Sequence, residues 1–478
     1  MTTLSKYLYN LLFILSNILF PVITFSYAAR VLGPEGIGKV QVVLNFAQYF
    51  VLVAALGIPT YGLREVAKVS GDPEKLSKLF SELLTINLLM TLLLLIPFSF
   101  LLSTLPQLQP DNQLYWLSGL LVLTGFMTID WFYTGTEQFR YLSLRSVIIK
   151  AVSLVALFLF VRSPEGLIIY LLINILTVMV TNIWNLFNLP VKIRIRFRNL
   201  ELRKHFSGLT ILFLITLAVS VYTLADVLIL RIFTDNQSVG FYTAAIKINK
   251  ILIPVITTLG VVLMPQITQC LAAGDRTTLR TLTERSFAYI CLLAIPISAG
   301  LLVFAPEIMI LFSGVGFEGA VPAMQISAAL AILIGLGHLF GLQLLIPGGY
   351  EKKYLLATLA GMAVSLTINL LLIPVWKERG AALAMVISEV MVTGASFWFV
   401  SRIFSLRFNW TLILKSLAAC LVFIPVALLL RETIDGLLLR LIIAVLACAG
   451  LYFLIQVAVF RDRHVREAAL LVTDNFLR

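Results

Sequence analysis

The sequence predicts an all-α integral membrane protein with about fourteen transmembrane helices, and three observations lead to this prediction. Hydrophobic residues make up 60% of the 478-residue chain and charged residues only 13%, whereas soluble domains contain about 25% charged residues. Apolar runs of about 20 residues, the length that crosses a bilayer as a helix, recur along the whole chain. Between these runs the sequence has no polar insert long enough to fold as a separate soluble domain.

Each apolar run is interpreted as one transmembrane helix, and short polar or turn-forming stretches separate the runs. The fifth predicted span is the shortest and the tenth is the longest. The predicted spans cover residues 8–29, 38–60, 82–104, 113–134, 144–161, 165–188, 207–231, 239–262, 286–305, 320–346, 354–374, 380–401, 411–430 and 437–460.

Positive charge in the loops predicts the orientation of the chain in the membrane. If the N-terminus is cytoplasmic, most of the 36 Lys and Arg residues fall in inner loops and tails, as the positive-inside rule requires. Both termini are therefore predicted to be cytoplasmic. The same retention of Lys and Arg accounts for the net charge of +12, so the charge does not call for a nucleic-acid partner.

The densest basic stretch is Pro190–Phe206, PVKIRIRFRNLELRKHF, between the sixth and seventh spans. Its main role is predicted to be topological, as a cytoplasmic loop that joins two halves of the chain. Two other roles stay open, because such a loop could also bind anionic lipid headgroups or a partner protein.

An internal repeat lies on either side of this basic stretch. Arg30–Gly38 (RVLGPEGIG) follows the first span, and Arg231–Gly240 (RIFTDNQSVG) follows the seventh. Each segment has an Arg, two apolar residues, a turn-forming run and a Gly that opens the next helix. A weaker match relates Pro164–Asn174 to Glu378–Ser388, at the sixth and twelfth spans. Transporters are commonly built from such repeats, with the substrate site between them.

The repeat predicts two six-helix lobes, followed by two extra C-terminal helices. Spans 1–6 and 7–12 would form lobes of like topology, related by an axis along the membrane normal. The predicted boundaries are 1–189 for the N-terminal lobe, 190–206 for the basic cytoplasmic linker, 207–402 for the C-terminal lobe, and 403–478 for the last two spans and the cytoplasmic tail.

The second predicted span has a polar face made of Gln41, Asn45 and Gln48. Their spacing of i, i+4, i+7 places all three on one side of a helix. Amides on such a face commonly hydrogen-bond neighbouring membrane helices, which is the structural interpretation. The repeat favours a functional one, because the equivalent residues in the other half are charged.

Alignment of the final glycines of the repeat matches Asn45 with Lys247 and Gln48 with Lys250. Both lysines lie in the middle of a predicted span, where an ammonium costs roughly 2.5–3.5 kcal/mol to insert. Lysines are poor structural partners for other membrane helices. Ionisable residues inside a membrane usually face a cavity and a functional site.

Asp226, near the outer end of the seventh span, could neutralise part of this charge. It could pair with Arg231 or with a lysine of the eighth span, which would make the cations purely structural. However, one carboxylate cannot neutralise Arg231, Lys247 and Lys250 together. We therefore expect a positive surplus that attracts an anion such as a phosphate.

The first span supplies two further candidates. Asn17 is predicted to continue a polar wall along this helix. Arg30 lies at its outer end, either as a substrate contact or as an interfacial anchor paired with Glu35.

Two more carboxylates, Asp130 and Glu389, are predicted within spans. Asp130 lies beside Trp131 near the inner end of the fourth span; ion coupling or charge pairing is considered for it, but a packing or interfacial role is favoured. Glu389 lies nearly halfway along the twelfth span and could serve as a proton or sodium relay or form a structural hydrogen bond.

The sequence has no features of an enzyme. It lacks a phosphate-binding Gly-rich loop that opens a helix, and its histidines and carboxylates have no metal-ligand spacing. The four cysteines fall in or beside apolar segments without ligand spacing. No catalytic residue, cofactor or metal is predicted; only a coupling proton or sodium ion is considered.

The chain resembles the Wzx-type polysaccharide and O-antigen flippases, which form the polysaccharide transport family of the MOP exporter superfamily. The same superfamily holds the multidrug and toxic-compound (MATE) exporters and the lipid II flippase. The resemblance runs in order through spans 1–12 and rests on ARVLGPEGIGKVQ after the first span, DWFYTGTEQFRYLSLR after the fourth, GFYTAAIKI opening the eighth, LMPQITQ at its end and IPVWKERGAALAMVISE at the twelfth.

This resemblance implies a MATE-like fold with a central cavity that opens alternately to either side of the bacterial inner membrane. It implies translocation of undecaprenyl-diphosphate-linked oligosaccharides from the cytoplasmic to the periplasmic leaflet, for O-antigen, capsule or exopolysaccharide synthesis. Cationic residues of the cavity would meet the diphosphate or acidic sugars. The resemblance carries this role over to Lys247, Lys250, Arg231 and Arg30. Partners would be this lipid, membrane lipids and a glycan polymerase or export complex.

Three other functions are the alternatives to this one. A multidrug cation antiporter of the same fold would favour surplus carboxylates and aromatic residues in its cavity, whereas the sequence has surplus lysines. A non-transporting scaffold of a glycan assembly complex would make the intramembrane polar faces dispensable. A membrane glycosyltransferase would need a catalytic carboxylate at a membrane edge, for which only Asp130 comes into question.

Overall fold

The computed structural model describes residues 3–69, 71–190, 193–196, 198–404, 406 and 408–460, and for residues 3–15, 17 and 18 it describes the backbone alone. Every regular element within these ranges is helical, which confirms the predicted all-α class. Twelve of the helical runs are long and apolar enough to cross a membrane. The protein is therefore a multi-pass membrane protein.

Two helical runs, Thr3–Ala55 and Glu351–Ile403, are each 53 residues long and broken by one non-helical residue. Gly33 has φ 67° and Lys377 has φ 47°, values in the left-handed region. Each break lies between two predicted spans, so each run contains two stretches of membrane length. The total of fourteen crossings stays a prediction.

The first compact unit covers residues 1–240. Helix α1 is its centre and packs against α3, α4, α6 and α8. Its helices are α1 (Thr3–Ala55), α2 (Ile58–Val69), α3 (Pro73–Thr104), α4 (Asn112–Thr124), α5 (Asp130–Gly135), α6 (Phe139–Phe160), α7 (Leu167–Phe187) and α8 (Arg203–Phe233), with single 3₁₀ turns at Pro106–Asp111, Gly125–Met127 and Pro164–Gly166.

Local sequence explains where several of these helices begin and end. Asp72 caps α3, because its carboxylate accepts hydrogen bonds from the backbone N–H groups of Glu74 (3.1 Å) and Lys75 (3.2 Å). Leu56 and Gly57 both have positive φ and end α1. The predicted second span, which runs to residue 60, therefore extends past the end of its helix, and α2 begins as a separate amphipathic helix.

The predicted fourth span, residues 113–134, is also interrupted. Helix α4 ends at Thr124, and α5 begins only at Asp130. Asn182 of α7 donates its side-chain amide to the carbonyl oxygen of Thr124 (3.2 Å) and to the hydroxyl of Thr128 (3.1 Å). A break at membrane depth is tolerated because a neighbouring helix satisfies the freed polar groups.

The second compact unit covers residues 241–478. Helix α10 packs against α13 and α15, while α14 packs against α12 and α13. Its helices are α9 (Asn236–Ala273, which starts in the last residues of the first unit), α10 (Arg276–Val303), α11 (Ala305–Ser313), α12 (Val321–Ser327), α13 (Leu330–Gly337), α14 (Glu351–Ile403), α15 (Thr411–Cys420), α16 (Phe423–Thr433) and α17 (Leu437–Leu454), with a 3₁₀ turn at Glu318–Ala320 and π-helices at His338–Leu345 and Ile455–Val459.

The compact units are defined by contacts between residues, whereas the predicted lobes are defined by the internal sequence repeat. The lobe boundaries at residues 189, 206 and 402 therefore stay a prediction. The basic linker 190–206 packs within the first unit, where its described part runs along α3.

Candidate substrate site

The polar face predicted on the second span lies on the second half of α1. Gln41 is half-buried, Asn45 is 6% exposed and Gln48 is exposed. The side-chain amide of Gln41 donates to the side-chain oxygen of Asn45 over 2.6 Å. Two of the three amides therefore satisfy each other within one helix, while the third is presented at the surface of the first unit.

The lysine face, Lys247 and Lys250, lies on α9. Lys247 is half-buried and Lys250 is exposed, whereas Ile246, Ile248 and Asn249 are buried. Helical geometry places the two lysines on one side, because they are three residues apart. The other side of α9 is fixed in part by Asn249, whose side-chain amide donates to the hydroxyl of Ser327 in α12 over 2.9 Å.

The two repeat segments meet at a close backbone contact within residues 1–240. A Cβ atom added at Gly38 would overlap the carbonyl oxygen of Asn236, and one added at Gly240 would overlap that of Pro34. In the repeat alignment, Pro34 matches Asn236 and Gly38 matches Gly240. The contact thus has local two-fold symmetry, and both positions require glycine because only glycine lacks a Cβ atom.

Asp226 and Arg231 occupy α8 one turn or more apart. Asp226 is fully buried, and its charge lies close enough to interact with Tyr49 of α1. Arg231 is half-buried and interacts electrostatically with Tyr115 of α4. Both groups therefore face other helices of the first unit rather than its outer surface.

The predicted first-span candidates have different outcomes. Arg30 is exposed and donates a hydrogen bond to the hydroxyl of Ser26 over 3.2 Å, one turn earlier on α1. The side chain of Asn17 lies outside the described residues, so its predicted place in the polar wall stays a prediction.

Asp130 belongs to a charge-paired cluster at the start of α5. It accepts a hydrogen bond from the guanidinium of Arg145 over 2.8 Å and one from the amide of Asn185 over 2.6 Å. Arg145, only 3% exposed, also donates to Asn185. Sequence reasoning missed Arg145 and Asn185, although a charged residue inside a predicted span was the available signal.

Glu389 lies on the second half of α14 and is 5% exposed. It packs beside Gly337, since a Cβ atom there would lie 3.3 Å from a carboxylate oxygen of Glu389 and 2.8 Å from the hydroxyl of Thr393. The adjoining π-helix, His338–Leu345, holds the buried Gln343, which accepts a hydrogen bond from Ser286 over 2.9 Å. Such π segments are frequent at functional sites.

Two buried ion pairs were not predicted. Glu82 on α3 binds groups of the basic linker, as described below. Glu307 on α11 accepts two hydrogen bonds from Arg431 of α16, at 2.6 and 3.1 Å. Although burial raises the pKa of Glu307, its bonds with Arg431 outweigh this and hold the pKa below the usual value.

A large apolar cavity of 800 Å³ lies within the second unit between α10, α11, α16 and α17. Its walls are almost entirely carbon, and they include Tyr289, Pro296, Phe423, Leu441 and Phe453. A cavity of this size and character suits an apolar chain rather than a sugar.

Comparison with known proteins places the chain in a family. The profile of a family described as "Polysaccharide biosynthesis protein" matches residues 3–271, more than half of the chain. The chain belongs to this family. A relative in Escherichia coli (strain K12), named "Putative O-antigen transporter", is 24% identical over 394 residues, which cover 80% of this chain and 93% of the relative.

Solved structures of transporters share the fold of this family member. The lipid II flippase MurJ in an inward closed conformation aligns with a TM-score of 0.78 at 14% identity, over 95% of this chain and 99% of that one. An inward-facing MATE family multidrug transporter of the MOP superfamily aligns with a TM-score of 0.62 at 17% identity, over 80% of this chain and 94% of that one. These findings confirm the predicted MATE-like fold. The relatives are named as transporters and flippases, not enzymes.

Proposed function

We propose that this chain is a flippase for lipid-linked oligosaccharides. It would move undecaprenyl-diphosphate-linked repeat units from the cytoplasmic to the periplasmic leaflet of the bacterial inner membrane, with both of its termini in the cytoplasm. The observation that carries this proposal is the lysine face of α9, within a family of polysaccharide biosynthesis proteins. Transport by alternating access would expose this face to each side in turn.

The chemistry of the substrate matches the residues available. A diphosphate carries negative charge and many acceptor oxygens, and lysine binds phosphate through its point charge. On α9, Lys250 is exposed and Lys247 is half-buried. A ligand could therefore reach Lys250 from solvent and would be partly desolvated where it meets Lys247. Desolvation strengthens the attraction between opposite charges.

The rest of the substrate is accommodated by other surfaces. Sugars need hydrogen-bonding groups, which the exposed amide of Gln48 and the half-buried amide of Gln41 supply on α1. The polyprenyl chain needs an apolar environment, which lipid and the 800 Å³ cavity of the second unit both offer. This division of roles supports an amphiphilic substrate over a small organic cation.

Replacement of the lysine face tests the proposal. In the Lys247→Ala/Lys250→Ala protein, complementation of a flippase-deficient strain is expected to fail, and flipping in proteoliposomes is expected to fall at least about a hundredfold. Each charge-assisted hydrogen bond lost is worth about 1.5–3 kcal/mol. Lys247→Arg/Lys250→Arg should retain part of the activity because the charge is kept.

A matched control removes the same charge elsewhere. Lys68 and Lys75 are exposed lysines that pair with Glu65 and Asp72, and Lys68→Ala/Lys75→Ala should flip at the normal rate. Full activity of the lysine-face variant at normal expression would contradict the proposal. Full complementation by this variant, together with no flipping by the wild-type protein in proteoliposomes, would favour the non-transporting scaffold. Transport of an organic cation instead of a diphosphate lipid would favour the multidrug antiporter.

A further inference from the structure

The basic linker and α3 line a second, partly open pocket that the proposed function does not use. Its volume is 400 Å³, within the usual range of ligand pockets. We call it the linker pocket, and its walls are Lys78, Arg196, Arg198, Asn199 and Leu200. Three of the five lining residues are cationic.

The linker wall of this pocket is held to α3 by its backbone. The N–H of Arg194 donates to the hydroxyl of Ser77 over 3.2 Å, and the N–H of Arg196 donates to the hydroxyl of Ser81 over 2.9 Å. Asn199 has φ 59° and turns the chain back toward α8. The backbone of Arg196 is therefore held against α3 before any ligand binds.

A buried carboxylate fixes the far end of the linker. Glu82 of α3 is fully buried and accepts hydrogen bonds from the N–H of Glu201 (2.9 Å), from Lys204 (3.2 Å) and from His205 (2.8 Å). The other ring nitrogen of His205 lies 2.9 Å from the hydroxyl of Tyr61 in α2. This network anchors the linker next to the pocket, because Glu82 and His205 each bond more than one group.

The pocket keeps a positive surplus. Lys78 pairs with Glu201, whose pKa this hydrogen bond lowers. Arg196 lies 3.6 Å from Glu74, with both side chains at least half exposed, and such a pair contributes little energy. Arg198 has no ion pair with any residue in the described part of the chain. Two cations are thus available to a ligand at little cost.

We propose that the linker pocket binds the phosphate or diphosphate of a lipid headgroup at the membrane surface. The planar guanidinium groups of Arg196 and Arg198 match phosphate oxygens in two-point contacts, and Lys78 adds a point charge. Anionic headgroups concentrate at the cytoplasmic surface, which attracts basic segments. The inference rests on the proposed function only for the side of the membrane on which the linker lies.

The test measures binding of inorganic pyrophosphate to the full-length protein in phosphatidylcholine nanodiscs. It is made in the Lys247→Ala/Lys250→Ala background, so that the lysine face does not contribute. Adding Arg196→Gln/Arg198→Gln should weaken binding at least about tenfold. Adding Arg140→Gln/Arg276→Gln, which removes two exposed arginines elsewhere, should leave it unchanged. A thermal melt of each protein verifies folding, and Arg198→Gln alone serves if the double variant is unstable.

Competition identifies the source of the phosphate. If phosphatidylglycerol in the nanodisc displaces pyrophosphate, bulk anionic lipid fills the pocket; if only farnesyl diphosphate does so, a prenyl diphosphate fills it. Either result supports the proposal. Equal pyrophosphate affinity with and without Arg196 and Arg198, or no competition by either lipid, would overturn it. Because the background already lacks the lysine face, binding here can persist even if the proposed transport function is wrong.

Discussion

Helices α1 and α9 carry polar residues in the same register but with different chemistry. Counted from the glycines of the repeat, the third, seventh and tenth positions are Gln41, Asn45 and Gln48 on α1, and Thr243, Lys247 and Lys250 on α9. On α1 an amide pair satisfies itself over 2.6 Å. On α9 the same positions hold two cations. The repeat thus keeps the same spacing in both halves, with neutral amides on α1 and cations on α9.

The units also differ in what their buried carboxylates hold. In the first unit Glu82 holds the basic linker through several donors, including a backbone N–H. In the second unit Glu307 holds α16 mainly through the one guanidinium of Arg431. A site with several donors tolerates the loss of one, whereas a site with one strong partner does not.

The largest effect is expected at the shared glycines. In Gly38→Ala or Gly240→Ala, the new methyl group would occupy the position of a backbone carbonyl oxygen, which forces two helices apart and costs more than about 4 kcal/mol. The measurement is thermal unfolding of the purified protein, with transport assayed in parallel.

Gly450 supplies the matched control for these variants. It is a helical glycine of α17 with open space around it, so Gly450→Ala should stabilise the helix by up to about 1 kcal/mol. If Gly38→Ala and Gly240→Ala both melted at the wild-type temperature, the two glycines would not be in close backbone contact. The local two-fold symmetry inferred from that contact would then be wrong.

The next largest loss of stability is expected when the Glu307–Arg431 ion pair of the second unit is broken. Arg431→Gln leaves a buried carboxylate with a weaker partner and should cost about 3–5 kcal/mol of stability. Lys204→Gln in the first unit should cost less, because Glu82 keeps His205 and the N–H of Glu201. Arg402, which lies over the ring of Trp398 at the surface, gives a control: Arg402→Gln should change stability by about 1 kcal/mol or less.

The pH dependence of the Glu307 pair follows from its pKa. The folded-state pKa is lowered, so the pair stabilises the protein fully above the unfolded pKa of this glutamate, and the stabilisation is lost as pH falls through the folded value. The wild-type protein and Arg431→Gln should therefore converge in stability under acid conditions. If the wild-type protein and Arg431→Gln were equally stable near neutral pH, the Glu307–Arg431 pair would not stabilise the fold.

The smallest effect is expected on the amide face. Gln41→Ala removes one neutral hydrogen bond and should cost about 1 kcal/mol, with flipping reduced less than tenfold. This contrasts with the loss expected for the lysine face. Flipping rates in proteoliposomes compare the two directly, and a similar loss in both would show that the halves contribute equally.

Much of this fold could be predicted from hydrophobic length and turn residues alone. The breaks at Gly33 and Lys377 fall between predicted spans because polar and turn-forming residues interrupt the apolar pattern there. The separate helix α2 and the break after α4 could not be predicted, because they depend on positive φ at Leu56 and on a donor from Asn182, which is distant in sequence.

The site could be predicted in part for a similar reason. The spacing of Lys247 and Lys250 reports a shared helix face directly, since both lie on one element. The partners of Asp130 and Glu82 lie far away in the chain, at Arg145 and His205. Hydropathy along one helix contains no information on partners that lie on another helix. The sequence alone therefore could not distinguish a carboxylate held in an ion pair from one that relays a coupling ion.

The side chain of Asn182 has a consequence for how the protein enters the membrane. Its amide satisfies the carbonyl of Thr124, a buried group at the end of α4, and a backbone group without a partner at membrane depth is costly. Helix α4 emerges from the ribosome well before α7. We therefore expect the broken segment to stay beside the insertion machinery, or in contact with water, until α7 arrives, and the two helices to enter lipid together.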